Sequence, residues 1–460
     1  LLLIAVLVSG AWAPLGPDHQ VPEIELPDTF SVGDVTWRIQ KAKEASASSN
    51  PRWWKMFGDD TLNQLVERAL NHNQDLAAAM ARVREAREFS SMARSRFFPA
   101  VDMGATAERT QFRFRGPGGG SSISNNFTLP VDLTYEIDLW GKVRREVEAA
   151  TASEQATSEL LQLLKLTLAA ETAQTYWALR ALDTERAVLA RAIDARRKAL
   201  ELLTKQAEHG KISDLDLARA EAELATAESD RIQLEQVRVE LVNALAVLCG
   251  TVASGSKIAE SNGLPPAPLT PTTLSSELLL QRPDIRAAER ELAAANARIG
   301  VAKAAYFPSL GISASSGFDS ALSGNLLDAS SLVWSLGANA LVPLTSQRYL
   351  RSQKRATVAA HEAASAKYRQ TVLNAIRDVE NALQGKQILE RRLLAQNQAL
   401  DAAEKAYRLS VKRFDQGLVS LLDVIDADRT RLEAERASNA IRGEQLAITV
   451  ALAKALGGSW

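Results

Sequence analysis

The chain has 460 residues, 54 Lys and Arg against 55 Asp and Glu, and a hydrophobic content of 46%. Length alone suggests about three ordinary domains, while a net charge of −1 excludes the basic surface that a nucleic-acid partner requires. One cysteine, Cys249, and four scattered histidines (His19, His72, His209 and His361) exclude an internal disulfide and offer no metal-ligand spacing. No cofactor and no enzyme chemistry are expected from this composition.

In chain order, residues 1–13 begin with the apolar run Leu1 to Val8 and continue through Ala11-Trp12-Ala13. The run is too short to cross a bilayer, which takes about 20 residues. It reads instead as the remnant of a secretory signal with an A-x-A-like cleavage site. Residues 14–58 contain a Pro-, Ser- and Asp-rich stretch that reads as an extended strap leading into an equatorial segment. A first repeat is expected over 59–250. It comprises helix 59–96, strands 101–114 and 126–139, and helices 142–209 and 214–249. A Gly/Pro-rich linker at 251–275 precedes a second repeat over 276–458, with helix 276–305, strands 309–318 and 331–342, and helices 346–416 and 421–457.

The duplication rests on matching anchors. Asp75-Leu76-Ala77-Ala78-Ala79 through Phe97-Phe98-Pro99 recurs 209 residues later as Asp284-Ile285-Arg286-Ala287-Ala288 through Tyr306-Phe307-Pro308. Gly210-Lys211-Ile212-Ser213 recurs 207 residues later as Gly417-Leu418-Val419-Ser420. A period this long is not that of a solenoid and points to a duplicated unit.

The helices carry a seven-residue step. Ala220, Ala227, Leu234, Leu241 and Leu248 form one row, and Ala427, Ala434, Ile441, Ile448 and Ala455 form its counterpart. Such rows imply coiled-coil-like packing. Each long helix has roughly the combined length of two shorter ones. Helix 142–209 pairs with 214–249 and 276–305, and helix 346–416 with 421–457 and 59–96. The short helices are therefore expected to stack end to end, with their breaks at mid-height.

Between the helices the period changes to two. Phe127, Leu129, Val131, Leu133, Tyr135 and Ile137 alternate with a polar row that includes Asp132, Glu136 and Asp138. This is the pattern of a two-faced strand, long enough to cross a membrane if tilted. The apolar row is expected to face lipid and the polar row a wet lumen. A half-buried hairpin on a soluble domain is the ordinary alternative, but the chain offers no second apolar surface to cover the row. Four strands cannot close a barrel, and an open edge is not tolerated in lipid. The chain is therefore expected to oligomerise, and three copies supply twelve strands and twelve helical strokes.

Four motifs then carry a resemblance. They are Trp53-Trp54-Lys55-Met56-Phe57-Gly58-Asp59, Arg282-Pro283-Asp284-Ile285-Arg286-Ala287-Ala288-Glu289, Tyr135-Glu136-Ile137-Asp138-Leu139-Trp140-Gly141-Lys142 and Tyr306-Phe307-Pro308-Ser309-Leu310. With them the chain resembles the TolC-like outer-membrane efflux channels, in particular the efflux lipoprotein branch, over nearly its whole length. The resemblance implies a mostly α fold with a membrane β-barrel: a trimeric 12-stranded barrel continued by a 12-helix α-barrel with a mixed equatorial domain. It also implies the exit duct of a tripartite pump in the outer membrane of a Gram-negative bacterium. The implied partners are two further copies, a periplasmic adaptor (membrane fusion) protein, an inner-membrane transporter of the resistance-nodulation-division type, and outer-membrane lipid. Where that branch has a lipobox Cys this chain has Ala11, so lipidation is expected to be absent.

By the same resemblance, acidic residues just after the helix-to-helix turns ring a closed periplasmic aperture. Asp423 and Asp426 match those positions, with Asp216 on the first repeat, where Arg219 replaces the second acid. Three copies would converge six carboxylates that favour a cation. Asp423 and Asp216 also read as capping acids after Ser420 and Ser213. Asp426 is not explained by a cap and is assigned to the gate. Arg429 is expected to pair with Asp426 one turn on, and Leu422 is a candidate constriction. Trp53, Trp54 and Phe57 are expected to pack rather than to form a membrane belt, and Cys249 to be a small buried residue. A secreted coiled-coil adaptor or scaffold without a pore is the competing reading, which the alternating strands disfavour.

Overall fold

The computed structural model describes residues 14–22, 29–32, 35–38, 52–113, 115–116, 118–210, 212–255, 257–261, 263–268 and 281–458. The signal remnant with Ala11, the first residues of the predicted helix 276–305 and part of the strap and linker lie outside them. A short hairpin pairs β1 (Thr29–Val32) with β2 (Val35–Arg38). After a 3-10 turn at Trp53–Phe57 come α1 (Asp60–His72) and α2 (Gln74–Ser95). The strands β3 (Ala100–Met103), β4 (Thr106–Arg113) and β5 (Ser121–Ile137) lead into α3 (Lys142–Glu208) and α4 (Asp214–Leu248). The second half runs α5 (Pro283–Ala304), β6 (Ser309–Ser320), β7 (Leu332–Leu341), α6 (Gln347–Asp415) and α7 (Leu421–Ala455). The chain divides into two compact units.

One unit comprises Arg82–Ser158, Ala287–Arg369 and the described residues before Glu23. It holds an antiparallel sheet in the order β3 and β4, then β5, β6 and β7. The predicted strand 101–114 is interrupted at Gly104 and Ala105. Met103 pairs with Val131 and Thr106 with Thr128, so β3 and β4 share one register against β5. The break falls opposite Pro130, which has no N–H to give to the ladder; the Gly104 amide still donates to the Pro130 carbonyl at 3.0 Å. At its other end β5 stops at Ile137, short of the predicted 139, because Asp138 turns to the next helix. Its carboxylate accepts from the amides of Val143 (2.9 Å) and Arg144 (3.1 Å) and from Arg144 Nε (3.0 Å). Asp138 is therefore a helix-start acid, not a member of the wet row. Glu136 is likewise engaged, by Lys142 at 3.0 Å and Arg96 at 3.3 Å.

The strap at 14–22 lies against the starts of these helices. The Leu15 amide donates to the Trp140 carbonyl at 3.1 Å, Arg145 pairs with Asp18 at 2.9 Å, and His19 pairs with Glu289 at 2.6 Å. Small residues make the helix contacts: Ala152, Ala293 and Ala294 form a buried cluster.

The other unit comprises Glu159–Arg286, Gln370–Trp460 and the described residues of Ile24–Ala81. Its core brings Trp53, Trp54 and Phe57 against Tyr176 and Trp177 of α3, with Leu245 of α4 and Leu446 and Val450 of α7. The Trp53 and Trp54 rings meet edge to face at 5.9 Å, and Phe57 lies 5.3 Å from Trp177. The tryptophans are thus core anchors, as the sequence suggested. The Tyr176 hydroxyl donates to Asp59 at 2.7 Å, while the other Asp59 oxygen caps α1 through the Leu62 amide at 2.9 Å. Burial, then the Asp59 bond, pushes the Tyr176 hydroxyl up to about 12, so it remains a donor at any working pH. Buried Asp183 is held by Arg238 at 2.7 Å and Arg180 at 3.2 Å. Those guanidiniums also reach the carbonyls of Ile258 and Ala259, which fastens that connection to α3 and α4. Cys249 is buried, its thiol pushed up by burial and donating to the Leu65 carbonyl at 3.5 Å. Close helix approach is visible at Gly443 of α7, where an added Cβ would lie 2.8 Å from the Ala181 Cβ, and at Gly385 of α6, where it would lie 3.1 Å from Ile448.

The predicted helix 59–96 is two helices. Asn73 ends α1 in an extended conformation, and its side chain joins three elements. Asn73 Nδ2 donates to the Leu248 carbonyl at 3.0 Å, and Asn73 Oδ1 accepts from the Leu76 amide at 3.0 Å. The kink is where the end of α4 docks. Gly250 follows at φ 67°, and a Cβ there would lie 2.1 Å from the His72 carbonyl oxygen. Gly250→Ala is therefore expected to destabilise by at least about 1–2 kcal/mol from the left-handed conformation alone, with the clash in addition. It should lower the thermal midpoint of the helical circular-dichroism signal; an unchanged midpoint would show that the docking is not tight.

Candidate functional site: the helix-turn tips

Two helix-to-helix turns lie in the second unit. The first joins α3 to α4 through Gly210, at φ 66°, and the second joins α6 to α7 through Gly417, at φ 72°. In the second turn the Leu418 amide donates back to the Arg413 carbonyl at 2.9 Å and the Gly417 amide to Phe414 at 2.8 Å. This pattern requires a residue tolerant of positive φ at Gly417. Each return helix then opens on a serine cap. Ser213 Oγ accepts from the Asp216 amide at 3.2 Å and donates to the Asp216 carboxylate at 2.7 Å. At α7, Asp423 accepts from the Ser420 amide at 2.8 Å and from Ser420 Oγ at 2.7 Å. The Ser420 hydroxyl first, and the Ser420 amide next, hold the exposed Asp423 carboxyl below its ordinary range.

Asp423 and Asp216 are thus capping acids, the reading that competed with the gate. Asp426, one turn further, is exposed, and its carboxylate makes no hydrogen bond or ion pair with any described residue. Leu422 is 39% exposed rather than packed into the core. The direct ion pair expected between Arg429 and Asp426 does not form: Arg429 pairs with Glu223 of α4, and Asp426 acts on it only through space. The reason is the partner's placement. Glu223 also receives Arg196 of α3 at 3.5 Å, so it is the carboxylate around which cations from two helices gather.

That cluster extends. Arg196 reaches Asp428 at 3.3 Å, Arg431 pairs with Asp428 at 2.8 Å and with Glu435 at 3.3 Å, and Arg191 of α3 reaches Glu435 at 2.7 Å. Arg431 also stacks over the Tyr407 ring of α6, 5.1 Å from its centroid. All four tip helices contribute. Arg196, Glu223, Tyr407 and Asp428 line a cavity of about 100 Å³ with Leu203 and Val424. A single exposed ion pair is worth about 0–1 kcal/mol, but a half-buried network with shared partners orients both hairpins. Glu223 and Asp428 were not singled out from the sequence. The seven-residue step from Asp216 to Glu223 was the available signal, since it puts both acids on one face of α4.

The predicted strand row Phe127, Leu129, Val131, Leu133, Tyr135 and Ile137 lies within β5, its members half-buried or, at Val131, 42% exposed. Along β7 every residue is exposed, including Trp334 at 77% and Leu336 at 71%. Among the described residues, no group of three or more His, Cys, Asp or Glu is placed to hold a metal ion, and no helix is long and apolar enough to cross a membrane.

The sequence model of the family described as "Outer membrane efflux protein" matches residues 65–251 and 274–458. The pyoverdine export outer membrane protein OpmQ of Pseudomonas aeruginosa is 33% identical over 436 residues, covering 92% of this chain and 90% of that protein. The toluene efflux pump outer membrane protein TtgF of Pseudomonas putida is 29% identical over 468 residues, covering 100% of this chain and 96% of that protein. Among solved structures, the outer-membrane channel OprN superposes with a TM-score of 0.88 at 30% identity, covering 97% of this chain and 99% of that one. The Campylobacter jejuni CmeC outer membrane channel superposes at 0.90 with 26% identity, covering 97% and 95%.

The Asp423 cap has a pH signature. Its carboxyl titrates lower in the folded chain than in the unfolded one, so the cap contributes above the unfolded value and is lost as pH falls through the folded one. Hydrogen exchange of the Ser420 amide should accelerate below about pH 4, beyond the intrinsic trend. In Asp423→Asn that pH step should vanish. A step that survives the substitution would assign it to another group.

Proposed function

The chain belongs to the outer membrane efflux protein family, and from that premise we propose how its sheet and its helix-turn tips serve an outer-membrane exit duct. The protein is an efflux channel of the Gram-negative outer membrane, a transport protein that works with adaptor and inner-membrane pump partners. The observation that carries the finer reading is the sheet. Its two outer strands, β3 with β4 on one side and β7 on the other, have no second neighbour among the described residues, and their apolar side chains are bare. In lipid such edges must be paired. Three copies joined edge to edge give a closed 12-stranded barrel, with Phe127 to Ile137 of β5 facing lipid. The helices continue it as a 12-helix barrel with an equatorial belt, and the family match to two segments of one chain supports an internal duplication.

The tips form the gate. Asp426 and Leu422, exposed within one chain, face the axis when three copies meet. Asp423 shares its charge between cap and ring, and the six carboxylates hold a cation in the resting state. Arg429 with Glu223 is the latch that keeps α7 against α4. Selection of cargo among drugs, metals or other small toxic compounds rests with the inner-membrane transporter, which we take to be of the resistance-nodulation-division type. The relatives named for pyoverdine and toluene export fit an unselective duct.

Two measurements test this. The detergent-solubilised assembly should have the mass of three chains; two or four copies would refute the twelve-strand barrel. In planar bilayers, Asp426→Ala with Arg429→Ala should raise single-channel conductance severalfold, and Glu223→Ala alone should reproduce the effect of Arg429→Ala. Unchanged conductance together with unchanged block by divalent or trivalent cations would sink the gate assignment.

A further inference from the structure

Four cations stand at the start of α6, directly after the last strand. Arg348, Arg351, Lys354 and Arg355 fall at three- and four-residue spacing within three turns and line an open groove of about 740 Å³ beside Tyr306. No described residue forms a hydrogen bond or ion pair with any of their side chains, and Glu362 is the one acid on the groove's wall. This arrangement does not stabilise the helix. Cations at a helix N-terminus oppose its dipole, and like charges three and four residues apart repel.

The other strand-to-helix junction of the same unit is built differently. Where β5 passes into α3, Lys142 pairs with Glu136 at 3.0 Å, Arg144 with Asp138 at 3.0 Å, and Arg145 with Glu148 at 2.7 Å. One junction is internally compensated and the other is left with its positive charge bare. What precedes the cluster gives the setting. Leu336, in the β7 row that pairs through Ala314 to Leu133, is 71% exposed, and Leu344 and Tyr349, after the strand and within the cluster, are 79% and 67% exposed, so an apolar strand row, an aromatic ring and cations follow one another along one short stretch. That is the order found where a membrane-spanning segment meets water on an anionic leaflet.

We propose that the groove of Arg348, Arg351, Lys354 and Arg355 binds the phosphate-bearing headgroup of an anionic phospholipid at the boundary where β7 leaves the membrane. Guanidiniums bind phosphate oxygens bidentately, and the exposed leucines above them lie where acyl chains would continue from that headgroup. The inference rests on the reading that the sheet spans a membrane.

The test uses the full chain in vesicles of phosphatidylcholine alone and of phosphatidylcholine with phosphatidylglycerol, with spin-labelled lipid reporting the preference of the protein's boundary for phosphatidylglycerol. The variant Arg348→Gln/Arg351→Gln/Lys354→Gln/Arg355→Gln should lose that preference by about tenfold or more, given the usual contribution of each cation near an anionic surface. Replacing the three arginines by Lys should keep most of it. Removing four cations from the far end of the same helix, by Lys405→Gln, Arg408→Gln, Lys412→Gln and Arg413→Gln, should leave it unchanged. Equal loss in the far-end variant would overturn the proposal, as would full preference in the groove variant, or displacement of the lipid by millimolar inorganic phosphate. So would a groove variant that weakens the assembly between copies without altering lipid preference. Failure of the unaltered chain to insert into either vesicle would remove both this inference and the exit-duct reading; insertion without preference would remove this inference alone.

Discussion

A hydrogen-bonding strand edge cannot be left bare in hydrocarbon, and much of this molecule follows from that constraint. The sheet exposes apolar side chains along β7 and parts of β3, β4 and β5, a surface that water does not favour. Yet its two outer strands have main-chain groups to satisfy that nothing described in the chain satisfies. The same sheet is therefore complete in one direction, through a continuous β5–β6–β7 register, and unfinished in the other. On the proposed reading, lipid-facing chemistry and dependence on further copies are one requirement seen twice. The interruption at Pro130 is tolerated because it removes a single donor while the register continues on both sides.

The tips obey a different economy, that of charge in partial contact with water. Their capping acids are spent locally, on Ser213 and Ser420, and stop each turn from fraying. The carboxylates that bind the two hairpins together, Glu223 and Asp428, sit deeper and are each shared by two arginines. Asp426 belongs to neither set. This exposed acid, beside an exposed leucine, makes no hydrogen bond or ion pair with a described residue and acts on Arg429 only through space, which is what supports proposing it for the gate.

Much of the chain was legible from its residues because its elements are long and periodic. Helices of 67 and 69 residues, and a strand whose side chains alternate for over a dozen positions, leave little room for another assignment. The misses occurred where a side chain serves the backbone of another element. Asn73 divides a helix because it reaches the end of α4, and Asp138 ends a strand because it caps α3. The Asn73 contact spans 175 residues and has no local signature, whereas the Asp138 cap reaches only five and six residues on and was hidden by the strand alternation that runs into it. The pairing of Arg429 failed for a related reason: spacing along one helix offers Asp426, while the fold brings Glu223 across from another. By sequence Asp423 could be a cap, a gate residue or both; its bonds to Ser420 show the cap, and the ring role rests on the proposed assembly.

The close helix contacts at Gly385 and Gly443 carry a mechanical consequence. Helices α3 and α4 contain neither glycine nor proline, whereas α6 and α7 each contain one glycine in their interior. An interior glycine costs about 1 kcal/mol of helix propensity and leaves the backbone easier to bend at that point. The two hairpins are therefore unequal springs: the first is the stiffer strut, and the second, which carries Asp426 and Arg429, is the compliant arm on which an applied load produces the larger displacement.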